Sequence, residues 1–227
     1  MEEKGKTKSE TKKSTYVSLN EWIVKMKTTF ENAKQPPIFE KLQPVGYTEA
    51  RLNALSGRVT ALENLCETQK MEQAEQNAET QKFYEKKNEI GGLFLKHRGL
   101  AKILFKKNLQ AQVALNLNTS VKTAYAEWFR QVSNFYGQIS KSPELIEEIR
   151  KVGITQAFIK SIQMEISSLS TLKESQKKET AEAQASTEKR DQAFDALYEE
   201  YAELIAYAKI LLNGDQNLEM LGVVVKR

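Results

Sequence analysis

The chain holds little of what most enzyme centres are built from. It has one cysteine, Cys66, and one histidine, His97, in 227 residues. A single thiol excludes an intramolecular disulfide and fits a reducing compartment. One Cys and one His cannot complete a zinc site by themselves. No glutamate stands three residues before His97, so the Glu-x-x-His step of a di-iron bundle is missing. No glycine-rich loop suited to cradling phosphate is present; the adjacent Gly91 and Gly92 read as a weak point in a helix. No stretch approaches the ~20 apolar residues of a membrane span. Four prolines and ten glycines leave few places to break regular structure, which favours long helices. These shortages point to a soluble, cytoplasmic helical protein with no cofactor, no metal and no enzymatic activity.

The feature that organises the rest is a repeat. Val45–Lys82 aligns without a gap on Val152–Lys189, a shift of 107 residues with 15 identities in 38 positions. Val-Gly-x-Thr opens both copies, as Val45, Gly46, Thr48 and Val152, Gly153, Thr155. Leu62 meets Leu169, Glu72 meets Glu179 and Thr80 meets Thr187. Mismatches such as Leu52 with Ile159 keep the apolar class. A match of this density over one constant shift is an internal duplication. It divides the chain into a charged, aperiodic tail over residues 1–15, a helical repeat over 16–119 and a second over 120–227. The tail reads as disordered rather than as a secretory signal or membrane anchor.

Each repeat starts with an apolar stripe at helical spacing: Leu19, Trp22, Ile23, Met26, Phe30 in the first and Tyr125, Trp128, Phe129, Val132, Tyr136 in the second. Trp22 and Trp128 are expected to anchor cores. A proline-marked turn follows, Pro36-Pro37 or Ser142-Pro143. Proline suits the first turn of a helix, where its missing N–H leaves no bond unmade, and Ser142 can cap it. A short helix is predicted in each place, stopped by Val-Gly. Thr48 and Thr155 can then cap the next helix, with Tyr47 on Leu52 and Ile154 on Ile159 as hydrophobic staples.

From there a heptad-like stripe runs on. In the second copy it passes from Ile159, Ile162, Ile166 and Leu169 through a polar middle (Lys173, Gln176, Thr180) to Leu197, Tyr201, Leu204 and Leu211. The first copy shows the same order. Two readings follow: a continuous helix of about 58 residues, roughly 85 Å long at 1.5 Å per residue, or a hairpin turning in the polar middle. Unbroken phase and absent turn residues favour the long helix. Gly214 ends the last one, and the apolar tail from Leu218 to Val225 is expected to dock back on a bundle. The fold class is therefore all-α: an internally duplicated helical bundle with two very long, antiparallel helices of coiled-coil character.

Candidate site residues are few. His97 and Cys66 lie on the apolar stripe and read as core. The carboxylates Asp191, Asp195, Glu199, Glu200 and Glu203 read as a solvated helix face. The most suggestive stretch is basic. Lys96, Arg98, Lys102, Lys106 and Lys107 lie within twelve residues that contain no acid, interleaved with Leu95, Leu100, Ile103, Leu104 and Phe105. A basic amphipathic helix can bind an anionic partner, membrane surface or nucleic acid; the same pattern also describes a core helix with a lysine-rich outside.

The last ~70 residues resemble a group of uncharacterised bacterial helical proteins of Bacteroidetes type. The resemblance rests on Thr187, Arg190 and Asp191 (a Thr-x-x-Arg-Asp step), on Leu197 and Tyr201, on Ala208-Lys209, and on the terminal Leu221-Gly222. The first repeat keeps Thr80, Ala101 and Lys102 but has Phe83-Tyr84 in place of Arg-Asp. The resemblance implies an all-helical fold and brings no activity with it. Three functions stand at this point: a non-enzymatic scaffold or protein-interaction protein that can self-associate; a peripheral binder of nucleic acid or membrane through Lys96–Lys107; and a membrane-permeabilising helical toxin, which would need an apolar hairpin the chain lacks.

Overall fold

The computed structural model describes residues 17–225; the expected charged tail, residues 1–15, lies outside them. The described residues form eight α-helices and no strand: α1 Leu19–Asn32, α2 Pro36–Leu42, α3 Glu49–Leu104, α4 Leu109–Ala114, α5 Tyr125–Lys141, α6 Pro143–Arg150, α7 Gln156–Leu211 and α8 Asn217–Met220. The two long helices, 56 residues each, are continuous. A hairpin would need backbone groups in the polar middle to leave the helical ladder, and no proline or paired turn residues there favour that.

The helix starts follow the local chemistry. Ser18 and Glu21 form a reciprocal capping box on α1. Ser142 accepts the Leu145 N–H at 3.2 Å, with Pro143 at the first position of α6. Thr48 accepts the Arg51 N–H at 3.3 Å and Thr155 the Phe158 N–H at 3.2 Å. The Val-Gly breaks are equally alike. Gly46 and Gly153 sit at φ 95° and 83°, a left-handed conformation that costs a residue with a Cβ about 1–2 kcal/mol. There the Tyr47 N–H reaches back to Leu42 O and the Ile154 N–H to Ile149 O, closing each short helix with the same paired bonds.

The described chain divides into two compact units. Unit 1 takes the residues up to Gln69 and those from Ser186; unit 2 is Lys70–Ala185. The units therefore cut across the repeats. Unit 1 combines α1, α2 and the start of α3 with the end of α7 and the tail. Unit 2 combines α5, α6 and the start of α7 with the end of α3 and α4. Inside each unit the two long helices run antiparallel. Arg51 meets Glu200 and Glu203 in unit 1, whereas Lys86 meets Glu165 and His97 meets Phe158 in unit 2.

The unit 1 core holds Met26, Phe30, Leu52, Val59, Leu62 and Cys66 from the first repeat against Leu197, Tyr201, Leu204 and Ala208 from the second. Each fully buried large aliphatic here stabilises the fold by roughly 1.5–3 kcal/mol. Trp22 packs edge-on against Tyr198 and Tyr201, at 5.0 and 5.8 Å between ring centroids. The tail docks as expected, with Leu218 and Leu221 buried. Two α1 side chains hold its backbone: Thr29 donates to Leu221 O at 3.4 Å and Asn32 to Met220 O at 2.6 Å.

The unit 2 core mirrors this with Val132, Tyr136, Ile159, Ile162, Ile166 and Leu169 against Ile90, Phe94 and Ala101. Where the stripe turns polar, side chains bond to each other. Gln76 and Gln176 both donate to Thr80 Oγ1, at 3.0 and 3.4 Å. Lys173 lays its ammonium over the Phe83 ring at 4.6 Å, so the stem covers apolar surface while the charge keeps a favourable neighbour. The short helix α4, with Asn108 as its cap, is an element the apolar periodicity did not predict.

Candidate functional site

The basic stretch occupies the end of α3 and the turn after it, within unit 2. The structure separates its cations into two groups. Lys96, Lys102, Lys106 and Lys107 are exposed, and among the described residues none forms an ion pair. Arg98 and His97 point the other way and are buried, at 6% and 7% exposure. The surface patch is thus four lysines, without the Arg98 that the sequence pattern placed in it. The helical period explains the change: Arg98 falls one step from Phe94 and Ala101, both core residues.

Arg98 has a different task. Its Nη2 donates to the carbonyls of Asn116 and Leu117, each at 3.1 Å, and to that of Thr119. Asn116 is left-handed, at φ 54°, so the chain after α4 doubles back and aims these carbonyls at one point. Gln131 holds the other side of the same loop. Its Oε1 accepts the Lys122 N–H and its Nε2 donates to Ser120 O, each at 3.0 Å. No carboxylate pairs with Arg98 among the described residues, and burial pushes its pKa down. The guanidinium is tolerated there because three carbonyl dipoles converge on its Nη2. His97 shares a 3.0 Å hydrogen bond with the buried Tyr136 hydroxyl. Burial, and secondarily the Lys96 charge, hold the imidazole pKa below its ordinary value; burial raises that of the Tyr136 phenol.

Between the lysines the outward face of α3 is apolar and thin. Leu95 is 56% exposed and Ile103 77%. Gly92 and Gly99 sit one heptad apart on that face, and a Cβ added at either would meet nothing within 4 Å. Lys102 and Lys106 also border a shallow depression of about 490 Å³ with Gln112, Leu117 and Asn118. Exposed large aliphatics flanking bare backbone let another helix approach closely.

The acidic groups are also sorted. Glu200 and Glu203 accept from Arg51, each at 2.8 Å, and Arg58 reaches Glu200 at 3.5 Å. Arg190 binds Asp191 at 2.6 Å. Asp195 and Glu199 stay exposed and, among the described residues, form no ion pair. In unit 2, carboxylate oxygens of Glu72, Glu179 and Glu182 gather within 4.8 Å of one another. Lys178 sits against this group, 3.0 Å from Glu182 and 3.6 Å from Glu179, and supplies its counter-charge. Glu72 and Glu179 are equivalent positions of the repeat, the one sequence signal that could have brought them together. Cys66 is buried in the unit 1 core.

Among the described residues no helix is long and apolar enough to cross a membrane. No protein-family model, curated protein or solved structure matches the chain.

Proposed function

We propose that this is a non-catalytic helical scaffold that acts through protein–protein contact, with the outward face of α3 in unit 2 as its contact surface. The observation that carries this reading is the exposure of Leu95 and Ile103 beside two glycines with open space above them. A nucleic-acid surface would need only the lysines; the uncovered aliphatics add apolar area that a protein partner can bury. The setting proposed is a bacterial cytoplasm, supported by the single cysteine and by the resemblance of the second repeat.

The test uses the tagged full-length protein as bait in an extract of its own cells, beside Leu95→Asp plus Ile103→Asp. Both side chains are exposed, so the variant is expected to keep its helical circular dichroism and melting temperature. Proteins enriched by the wild type and lost with the variant are the expected result. A second reading is favoured by the four exposed lysines: a peripheral binder of nucleic acid or membrane. Equal capture by both baits, together with salt-sensitive binding of the wild type to duplex DNA or phosphatidylserine vesicles, would replace the first reading with this one.

A further inference from the structure

We infer that the partner on this face is a second copy of the same chain, and that it docks through the outward face of α7 in its unit 1. This rests on the contact-surface reading above and names its occupant. The basic face repeats along α3 as Leu95, Gly99, Lys102 and Lys106, the last in the turn that continues the helix; all four are exposed. Along α7 the outward positions Asp195, Glu199, Ala202 and Ala206 are exposed as well. Read in opposite directions, the two series have one spacing. From Lys106 to Leu95 the steps are 4, 3 and 4 residues, and from Asp195 to Ala206 they are again 4, 3 and 4. An antiparallel pair of helices keeps such positions opposite each other along one seam.

In that register Lys106 faces Asp195, Lys102 faces Glu199, Gly99 faces Ala202 and Leu95 faces Ala206. Two opposite-charge contacts come first, then a glycine against an alanine where the backbones can approach, then an aliphatic against a small residue. One step further, Lys209 meets Gly92, so it faces no cation. The charges are available, since among the described residues neither these lysines nor Asp195 and Glu199 are paired internally. Glu200 and Glu203 are left out because Arg51 holds them. Ile210, exposed at 76%, and Ile103, its equivalent in the repeat, border the two faces.

A seam of about four turns on single helices is small beside the ~800 Å² per partner of a standard interface. The association should therefore be weak and reversible, with a Kd on the order of 0.1 mM.

The experiment is sedimentation equilibrium of the full chain at low salt, up to about 1 mM protein, where even a contact worth ~4 kcal/mol is populated. Four proteins are compared: wild type; Lys102→Glu plus Lys106→Glu; Asp195→Lys plus Glu199→Lys; and all four substitutions in one chain. Wild type should associate, less so as salt rises. Each double variant should associate at least tenfold more weakly, because attraction becomes repulsion at two sites. An equimolar mixture of the two double variants should associate, and so should the fourfold variant. Every changed side chain is exposed, and unchanged circular dichroism confirms each fold.

A wild type that stays monomeric throughout overturns the inference, as does a fourfold variant that does not regain association. So does a lysine variant whose only loss is binding to phosphatidylserine vesicles. None of these results touches the broader contact-surface reading if Leu95→Asp plus Ile103→Asp still loses captured proteins.

Discussion

Where unit 1 buries the apolar Leu204 and Ile205, unit 2 buries His97 and Arg98 at the equivalent positions of the repeat. The neighbouring elements correspond closely: Trp22 with Trp128, Phe30 with Tyr136, Gly46 with Gly153. The segments that close the two bundles do not. In unit 1 the tail lies along α1, and two α1 side chains, Thr29 and Asn32, take up its carbonyls. The α7 residues buried in this core, Leu197, Leu204, Ile205 and Ala208 among them, are apolar. In unit 2 the chain between α4 and α5 folds back through left-handed Asn116 and turns three carbonyls toward α3. An apolar residue at position 98 would take this donor from the Leu117 and Thr119 carbonyls, while Asn116 O would keep the Thr119 hydroxyl at 3.0 Å. Two copies of one design thus diverge at a single turn of helix, because each must satisfy the backbone of a different connection.

The largest effect expected from breaking this difference is at Arg98. Arg98→Met keeps the bulk and removes the donors, and stranding partly buried carbonyls costs ~1–3 kcal/mol apiece before relaxation. A loss of roughly 2–4 kcal/mol is expected in chemical denaturation. Amide exchange should speed up first over residues 105–124, while unit 1 keeps its protection. Uniform loss of protection in both units would show that Arg98 does not act through that loop.

A smaller change sharpens what the units share. Gly46→Ala and Gly153→Ala each place a Cβ on left-handed backbone, at a cost of about 1–2 kcal/mol. Because the two turns carry the same bonds, the two costs should agree within ~0.5 kcal/mol when read from denaturation midpoints. A clear inequality would mean that the turns differ energetically despite their common geometry.

The least effect is a slope with pH. Burial, and secondarily the Lys96 charge, hold the His97 pKa below the ordinary 6.5. As pH falls below that value the unfolded chain takes up a proton that the folded chain refuses, so stability declines on acidification. His97→Leu installs the residue of unit 1 and should flatten this part of the profile while leaving the profile above pH 7 parallel to that of the wild type. An unchanged acid slope would assign it to other groups.

Much of the fold was legible because its signals are local. Caps at Ser142, Thr48 and Thr155, prolines at helix starts and glycines at helix ends act on their own few residues. The 107-residue shift then predicted the same sequence of elements twice. The candidate site was half legible. Lys96, Lys102, Lys106 and Lys107 could be read as a basic cluster, but Arg98 could not be told apart from them by charge alone. Its inward direction depends on helical phase against a core that only the packed chain defines. The carbonyl triplet that holds it comes from a loop with no periodic pattern to announce it.

By itself the sequence determined the all-α class, the starts of α3, α6 and α7 and the glycine stops before the long helices, and it favoured long helices over hairpins in the polar middle. These follow from capping, proline and glycine stereochemistry, and apolar periodicity, all of which act within a few turns. Tertiary structure alone decided where the compact units divide, after Gln69 and before Ser186, and that Arg98 is a buried clasp. It also decided that Leu95 and Ile103 stay uncovered on the outward face of α3. Those outcomes depend on which surfaces meet, and a surface buried by a residue a hundred positions away leaves no mark in the local pattern.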